Sequence, residues 1–161
     1  WDAGSGTVLL DLFPADFGSP VSAVAWSPDG TRFVTFSTDQ VGQVWDAATG
    51  EKLLSFTGLS SADLAMWSPS GDRILAAGLG GVATVWDASS GNQVFAHNIG
   101  TMGLASWSPD GRLIAINDFD GNLKIYPAWQ TLDELIAYAK ECCLVRKLTP
   151  EERAQFGLPP R

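Results

Sequence analysis

The sequence is poor in positive charge and in long apolar runs. It holds 10 Lys and Arg side chains against 18 Asp and Glu, which gives a net charge of −8. Because no basic patch is available to neutralise phosphates, nucleic-acid binding is not expected. No apolar run approaches the roughly 18 residues of a membrane span, so a membrane partner is not expected either.

Cysteine and histidine are also scarce. The two cysteines, Cys142 and Cys143, are adjacent in a segment whose pattern predicts a helix. Neighbouring helical side chains point about 100° apart, so a disulfide between them is not expected, and a reduced, cytoplasmic setting is favoured. His97 is the only histidine, and nothing in the sequence places it beside Cys142 as a catalytic pair. We expect no metal site and no cofactor.

Two repeated phrases dominate what is present. Trp-Ser-Pro-(Asp/Ser)-Gly begins three times, at Trp26, Trp67 and Trp107, with intervals of 41 and 40 residues. Trp-Asp-Ala begins at Trp1, Trp45 and Trp86, and Tyr126 stands where a fourth Trp would fall. Two interlocked phrases with one period of about 40 residues indicate that a single supersecondary unit is repeated along the chain.

Each repeat contains short apolar runs of strand length, bounded by Gly, Pro, Asp and Ser. The predicted strands are 21–26, 32–37, 41–46 and 52–56 in the first copy and 62–67, 73–78, 82–87 and 93–97 in the second. The third copy predicts strands at 102–107, 112–117 and 122–126, without an evident fourth. Strands of this kind predict an all-β fold of repeated four-stranded antiparallel sheets.

These phrases resemble the WD-repeat β-propeller family over residues 1–126, with repeats near 21–57, 62–97 and 102–126. The resemblance implies a structural role for the repeat signature, which comprises Trp26, Trp45, Asp46, Trp67, Trp86, Asp87, Trp107, Asp39 and Asp120. In that family the outermost strand of one blade precedes the inner strands of the next. Residues 7–13 are therefore expected to be the outer strand of a blade whose inner strands lie before residue 1.

The sequence departs from the family in one polar network. Many members carry a Gly-His pair whose His meets an Asp in the turn between the second and third strands. The Gly-His pair is absent here, the turn Asp survives as Asp39 and Asp120, and the middle copy has Gly80 instead. We expect both aspartates to bond to their own turn amides.

The number of blades is small. Propellers have about 4–8 blades, and this sequence supplies three and one outer strand. An open arc would expose two apolar blade faces, each beyond the ~300–600 Å² typical of a soluble monomer. We therefore expect residues 1–161 to be the C-terminal piece of a longer protein; the alternative is a ring built from several copies.

Residues 127–161 change to a helical period. Thr131 and Glu134 form a capping box, and Pro150 sits at the start of a second predicted helix. The tail is expected to be a helical cap on the propeller, or alternatively a docking helix pair. It is also similar to the ends of bacterial multidomain WD-repeat proteins, which implies the sensor or scaffold part of a signalling or defence protein.

The function predicted for this segment is protein–protein interaction without catalysis. The predicted first strands are small and mostly apolar, with too few acids and bases for an active site. Candidate partner-surface residues are Phe17, Asp63, Asn98 and Met102, and the acidic charge favours basic partners. The partner is another protein or the rest of the same chain. A structural subunit that closes a ring in an oligomer and, less favoured, a propeller enzyme are the alternatives.

Overall fold

The fold is all-β in the part of the chain that the computed structural model describes, which is residue 2 and residues 4–12, 18–58, 62–78, 80–100, 102–118 and 121–128. Within these residues there are eleven strands and no helix. The strands are β1 Val21–Trp26, β2 Arg32–Ser37, β3 Gly42–Asp46, β4 Lys52–Phe56, β5 Leu64–Trp67, β6 Arg73–Ala77, β7 Val82–Asp87, β8 Gln93–Asn98, β9 Met102–Trp107, β10 Leu113–Asp118 and β11 Leu123–Pro127.

The strands form three antiparallel meanders. The first sheet is β1–β4, the second sheet is β5–β8, and the third sheet contains β9, β10 and β11. The predicted four-stranded antiparallel sheets are therefore confirmed, with each of these strands within two residues of its predicted bounds. The arrangement is propeller-like, but the described residues do not form a closed ring.

Alternation along each strand gives every sheet two apolar faces. Between the first and second sheets, Val34, Phe36 and Phe56 pack with Trp67 and Trp86 in one buried cluster. A second cluster joins the second and third sheets, and its buried members include Leu75, Val85, Ala105, Ile114 and Ile116. Because the second sheet is buried on both faces, it is the most enclosed part of the described chain.

Aromatic packing tightens the first of these interfaces. The rings of Phe36, Phe56 and Trp86 lie with centroids 5.1–5.8 Å apart, within the range of favourable aromatic pairs. A Cβ built on Gly42 would lie 2.4 Å from Phe56 Cε2 and 2.9 Å from Phe36 Cε1. A side chain at this position of β3 would displace the rings, so their close packing depends on glycine.

Two predictions need correction or lie outside the description. The outer strand predicted over residues 7–13 is wrong for residues 7–12, which take part in no ladder, and Phe13 lies outside the described residues. A strand needs a hydrogen-bonded neighbour, and the three inner strands expected to pair with this segment are not among the described residues. The predicted helices of residues 127–161 also lie outside the description from residue 129 onward, while Pro127 ends β11.

Candidate interaction surface

The Ser-Pro turns repeat with the same hydrogen bonds in all three sheets. Ser27 donates its amide to the carbonyl of Arg32 at 2.9 Å, and its hydroxyl accepts from the Arg32 amide at 2.9 Å. The corresponding distances are 2.9 and 3.0 Å for Ser68 with Arg73, and 2.9 and 2.9 Å for Ser108 with Leu113. The polar groups of this phrase therefore hold the turn between the first and second strands.

The Trp-Asp-Ala turns repeat in the same way. Asp46 accepts the amides of Ala48 and Thr49 at 2.9 and 2.8 Å, and Gly50 donates to the Asp46 carbonyl at 2.9 Å. Asp87 makes the equivalent bonds with Ser89, Ser90 and Gly91. Asp2 makes them with Gly4, Ser5 and Gly6.

These bonds favour the ionised carboxylate. The Ser89 and Ser90 hydroxyls, together with the Ser90 amide, lower the pKa of Asp87 to about 2. The Thr49 amide and hydroxyl lower the pKa of Asp46 as well. Asp46 and Asp87 are thus anionic turn anchors, and their oxygens are engaged by donors of their own turns.

We call the margin of the sheets that carries the Ser-Pro and Trp-Asp-Ala turns the turn edge.

The signature tryptophans differ in surroundings. Trp45 is buried and donates Nε1 to Thr35 Oγ1 at 2.9 Å. Trp86 is also buried, with Nε1 3.4 Å from the Thr57 carbonyl. Trp67 packs into the interface with the first sheet and donates Nε1 to the Ala25 carbonyl at 3.1 Å. Trp107 is half-buried against the second sheet, and Trp26 is exposed.

Arg32 adds a polar contact to the buried position of Trp67. Its guanidinium carbon lies 4.8 Å from the Trp67 ring centroid, and Nη2 donates to the Gly71 carbonyl at 3.2 Å. Arg73 Nη1 donates to the carbonyl of Ala128. An arginine after each of the first two Ser-Pro turns therefore reaches the next sheet along the chain, since Gly71 belongs to the second sheet's turn and Ala128 follows the third sheet.

Asp39 bonds mainly to hydroxyl groups rather than to the turn amides expected from the sequence. It accepts a hydrogen bond from the Ser37 hydroxyl, which lowers the pKa of Asp39 most, and the Ser19 hydroxyl and the Val41 amide lower it further. Ser19 precedes β1, so Asp39 links the start of the sheet to its middle turn. Asp120 lies outside the described residues.

The predicted partner residues are only partly brought together. Asp63 is exposed just before β5, and its amide donates to the Ala77 carbonyl at 3.0 Å. Asn98 is exposed at the end of β8 and accepts from the Gly100 amide at 3.1 Å. Both lie on the margin opposite the turn edge, which we call the start edge because the first strands begin there.

The two described candidates lie at opposite sides of the second sheet. Three strand spacings separate β5 from β8, which puts Asp63 and Asn98 about 14 Å apart. Met102 begins β9 at the same edge, but its side chain lies outside the description, as does all of Phe17. The start edge is therefore a surface on which the described candidates are spread, and it is not a compact cluster.

His97 packs against aromatic rings. Its ring centroid lies 5.0 Å from that of Phe95 and 5.2 Å from that of Tyr126, with the latter pair stacked. The contact joins β8 of the second sheet to β11 of the third. This placement gives His97 a packing role between sheets, and Cys142 lies outside the described residues.

The two end faces of the described arrangement are apolar and carry exposed large side chains, whose residues were not predicted from the sequence. On the first sheet, Ala23 and Ala25 pack toward the second sheet, so alternation places Val24 and Trp26 on the opposite side. We call this side the Trp26 face; Phe33 lies beside Trp26, with ring centroids 5.6 Å apart.

The third sheet has a matching outer side. Its Ala105 and Ile114 pack toward the second sheet, and Leu104, Leu123 and Ile125 on the other side are 70, 66 and 62% exposed. We call this side the Leu104 face. Strict alternation within the strands 102–107 and 122–126, read beside the buried positions of the second copy, is the sequence signal that would have identified these residues.

Neither a metal centre nor a spanning helix is found in the described parts of the chain. The described residues hold no group of three or more His, Cys, Asp and Glu side chains that is placed to bind a metal ion. Among those same residues, there is no helix with the length and apolar character needed to cross a bilayer.

Comparison with known families assigns the repeated sheets. The family model described as eukaryotic translation initiation factor eIF2A matches residues 11–126. The match begins just before the first sheet and ends within β11, so it covers all three sheets described above. The family is related to WD40-like β-propellers, which agrees with the repeated antiparallel sheets and their turns. The chain therefore belongs to the eIF2A family.

Proposed function

We propose that this chain is a non-catalytic protein-interaction platform and that partners bind along the start edge near Asp63. The proposal is supported by the exposure of the polar side chains at the two edges of the sheets. Asp46 and Asp87 are half-buried within their own turns, while Asp63 and Asn98 are exposed at the opposite edge. A partner that approaches the start edge therefore meets polar side chains that solvent already reaches.

The charge of the chain favours a basic partner. Residues 1–126 hold 13 of the 18 acidic side chains and 5 of the 10 basic ones. An acidic surface raises the association rate of a basic protein and makes that rate sensitive to salt. Asp63 is an exposed acidic residue just before β5, and we take it as the point at which a Lys or Arg side chain of a partner binds.

The proposal is tested with a pair of charge reversals. Asp63→Lys alters the start edge, and Glu51→Lys makes the same change of charge at the exposed end of the Asp46 turn, on the turn edge. Both variants and the unaltered chain are used as affinity baits with chemical crosslinking, and the recovered proteins are quantified by mass spectrometry. We expect Asp63→Lys to lose partners that Glu51→Lys retains, with circular dichroism as the control for folding.

Two other outcomes would count against this assignment. Equal recovery of every partner with both variants would remove Asp63 from the binding surface. Loss of partners with Glu51→Lys alone would move binding to the turn edge. Since both substitutions change the net charge equally, a difference between them cannot arise from the overall charge.

More than one cellular role is a candidate for such a platform. The family description names a translation initiation factor, which supports a cytoplasmic platform that brings together components of translation. The similarity of the tail to bacterial multidomain WD-repeat proteins supports instead the sensor or scaffold part of a signalling or defence protein. A structural subunit that completes a ring with other copies is the second function class, and the exposed Trp26 and Leu104 faces favour it.

A further inference from the structure

Gln40 has a backbone conformation that the equivalent turns of the other two sheets give to glycine. Within the residues that the structure describes, it is the one non-glycine residue with a left-handed backbone, with a φ of 71°. A side chain crowds its own carbonyl in this conformation, so such positions favour glycine. Gly81 and Gly121 stand one and two repeats later, with φ of 72° and 84°. The first sheet therefore keeps a glutamine where the other two sheets avoid the strain.

The turn itself does not depend on the glutamine side chain. Gln40 donates its amide to the Ser37 carbonyl at 3.0 Å, and Gly81 makes the same bond to Gly78 at 3.0 Å. A Cβ built on Gly121 would meet nothing within 4 Å, so the backbone conformation alone favours glycine there. The Gln40 side chain is exposed, and it has no hydrogen-bond partner among the described residues. Strain that adds no contact to the fold points to a function for the side chain.

The position of the turn suggests that function. Residues 38–41 join β2 to β3 on the start edge, and the Thr38 amide donates to the carbonyl of Pro20, just before β1, at 2.9 Å. Asp63 lies on the same edge in front of β5, which packs against β1 and β2. Because stacked sheets lie about 10 Å apart, an extended segment of about three residues can reach from Gln40 to Asp63.

The chemistry of the side chain indicates what it binds. A carboxamide presents an acceptor oxygen beside two N–H donors, which matches the N–H and C=O groups of an extended polypeptide. A nucleic-acid base offers similar groups, but the net charge of −8 disfavours the phosphates that accompany it. We propose that Gln40 is a specificity-determining residue of the start edge, and that its carboxamide pairs with the main chain of an extended segment of a basic protein. This inference rests on the function proposed above.

A pair of defined peptides tests the proposal on the full chain. The first is a fluorescein-labelled peptide of about ten residues in which Lys alternates with Thr, a residue that favours extended backbone. The second has the same sequence with N-methylated backbone amides, so it keeps the charge and loses the donors. Fluorescence anisotropy measures the Kd of each peptide. We expect the unaltered chain to bind the first peptide about five- to tenfold more tightly, as the loss of a hydrogen bond implies.

Three variants show whether Gln40 is the source of this preference. Gln40→Gly should bind the two peptides equally. Gln40→Asn should keep part of the preference, because asparagine retains a carboxamide and tolerates the left-handed conformation. Asn92→Gly is the matched control, since it removes an exposed carboxamide from the turn edge and should leave the preference unchanged.

Thermal unfolding separates recognition from folding. Gln40→Gly relieves the left-handed strain, so its Tm should rise by about 2–4 °C while its peptide preference is lost. Loss of stability cannot explain a loss of binding in such a variant. A Tm that falls instead would show that the side chain serves the turn, and it would overturn the proposal.

The binding data can also contradict the proposal. Equal affinity of the unaltered chain for the two peptides, or binding to neither, overturns it, as does a preference that survives in Gln40→Gly. Asp63→Lys separates this inference from the proposed function. If Asp63→Lys weakens binding of both peptides and Gln40→Gly keeps the preference, the Asp63 site stands and Gln40 is removed from it. The reverse result retains Gln40 and removes Asp63.

Discussion

Trp26 and Trp67 occupy the same place in consecutive repeats, yet their surroundings are opposite. Trp67 is 7% exposed, bonds to the Ala25 carbonyl and lies under the Arg32 guanidinium. Trp26 is 61% exposed and contacts Phe33 of its own sheet. The repeat phrase encodes the sheet and its turns equally in both places. The tryptophan that begins the phrase is buried when the preceding sheet packs against it, as the first sheet does at Trp67.

The comparison separates two contributions to stability in a repeat fold. Turn bonds and ladders belong to each sheet by itself, and the large apolar area is buried only between neighbouring sheets. The second sheet, enclosed on both sides, therefore carries most of the packing energy of the described residues. The outer faces of the first and third sheets carry the same kind of residue without that gain.

The largest effect that tests this comparison is truncation of the two tryptophans. Trp67→Ala should lower the free energy of unfolding by about 3–5 kcal/mol, the cost of losing a buried aromatic side chain. Trp26→Ala should lower it by about 1 kcal/mol or less, since most of the Trp26 side chain is already exposed. Urea denaturation followed by far-ultraviolet circular dichroism, at concentrations low enough to keep the chain monomeric, measures both.

The control for the two tryptophan variants is to repeat the denaturation at high protein concentration. If Trp26→Ala becomes as costly as Trp67→Ala when the protein is concentrated, Trp26 is buried by association, and the difference between the two sites is one of assembly. Equal losses in dilute solution would contradict the description of Trp26 as exposed.

A smaller effect is expected at Gly42, which can be compared with the same position in the other sheets. Ala83 of the second sheet and Leu123 of the third stand where Gly42 stands in the first. Gly42→Ala would push its Cβ into Phe56 and Phe36, so we expect a loss of about 1–3 kcal/mol in the free energy of unfolding. Gly4→Ala, whose Cβ would meet Asp2 Oδ1 at an ordinary 3.5 Å, is the matched control and should change it by less than about 0.5 kcal/mol.

An unchanged Gly42→Ala protein would mean that the Phe36–Phe56 contact is loose. In that case the first interface would owe its burial to Trp67 and Trp86 rather than to close aromatic packing. The same denaturation measurement distinguishes the two, and the near-ultraviolet circular dichroism signal of the aromatic residues reports directly on the packing.

Much of the fold was predictable because its signals are local. Ser27-Pro28 and Asp46 specify turns through bonds made within five residues, so the strand positions and the sheet order followed from spacing alone. The segment 7–13 was predicted as a strand from the blade order of the WD-repeat family, but strand formation also depends on a hydrogen-bonded neighbour.

The candidate surface was less predictable. Asp63 and Asn98 were identified because they lie just before or within predicted first strands. Their separation across the second sheet becomes clear only once the strand order is known. The small number of blades implied that an open arc would expose two apolar faces, yet assigning residues to the Trp26 and Leu104 faces required the two internal interfaces as a reference.

The smallest expected effect compares two equivalent turns, those of Asp46 and Asp87, as the pH falls. Asp87 has a pKa of about 2, against an ordinary value of 3.8, so in acid it stays ionised when folded and takes up a proton when unfolded. Its contribution to stability is complete above about pH 4 and is lost as the pH falls toward 2. Urea denaturation between pH 7 and pH 2.5 should therefore show the stability difference between the unaltered chain and Asp87→Asn shrinking below about pH 4.

Asp46→Asn should show the same trend more weakly, because Asp46 accepts one hydroxyl bond, from Thr49, where Asp87 accepts two. Asp11→Asn removes the same charge outside these turns and controls for the change in net charge. A difference for Asp87→Asn that stays constant to pH 2.5 would show that the turn bonds act without favouring the ionised carboxylate. The effect is small because these carboxylates lie at the surface, where solvent screens them. The repeated turns therefore define where the chain reverses direction between strands, and the packing between sheets determines most of the free energy of unfolding.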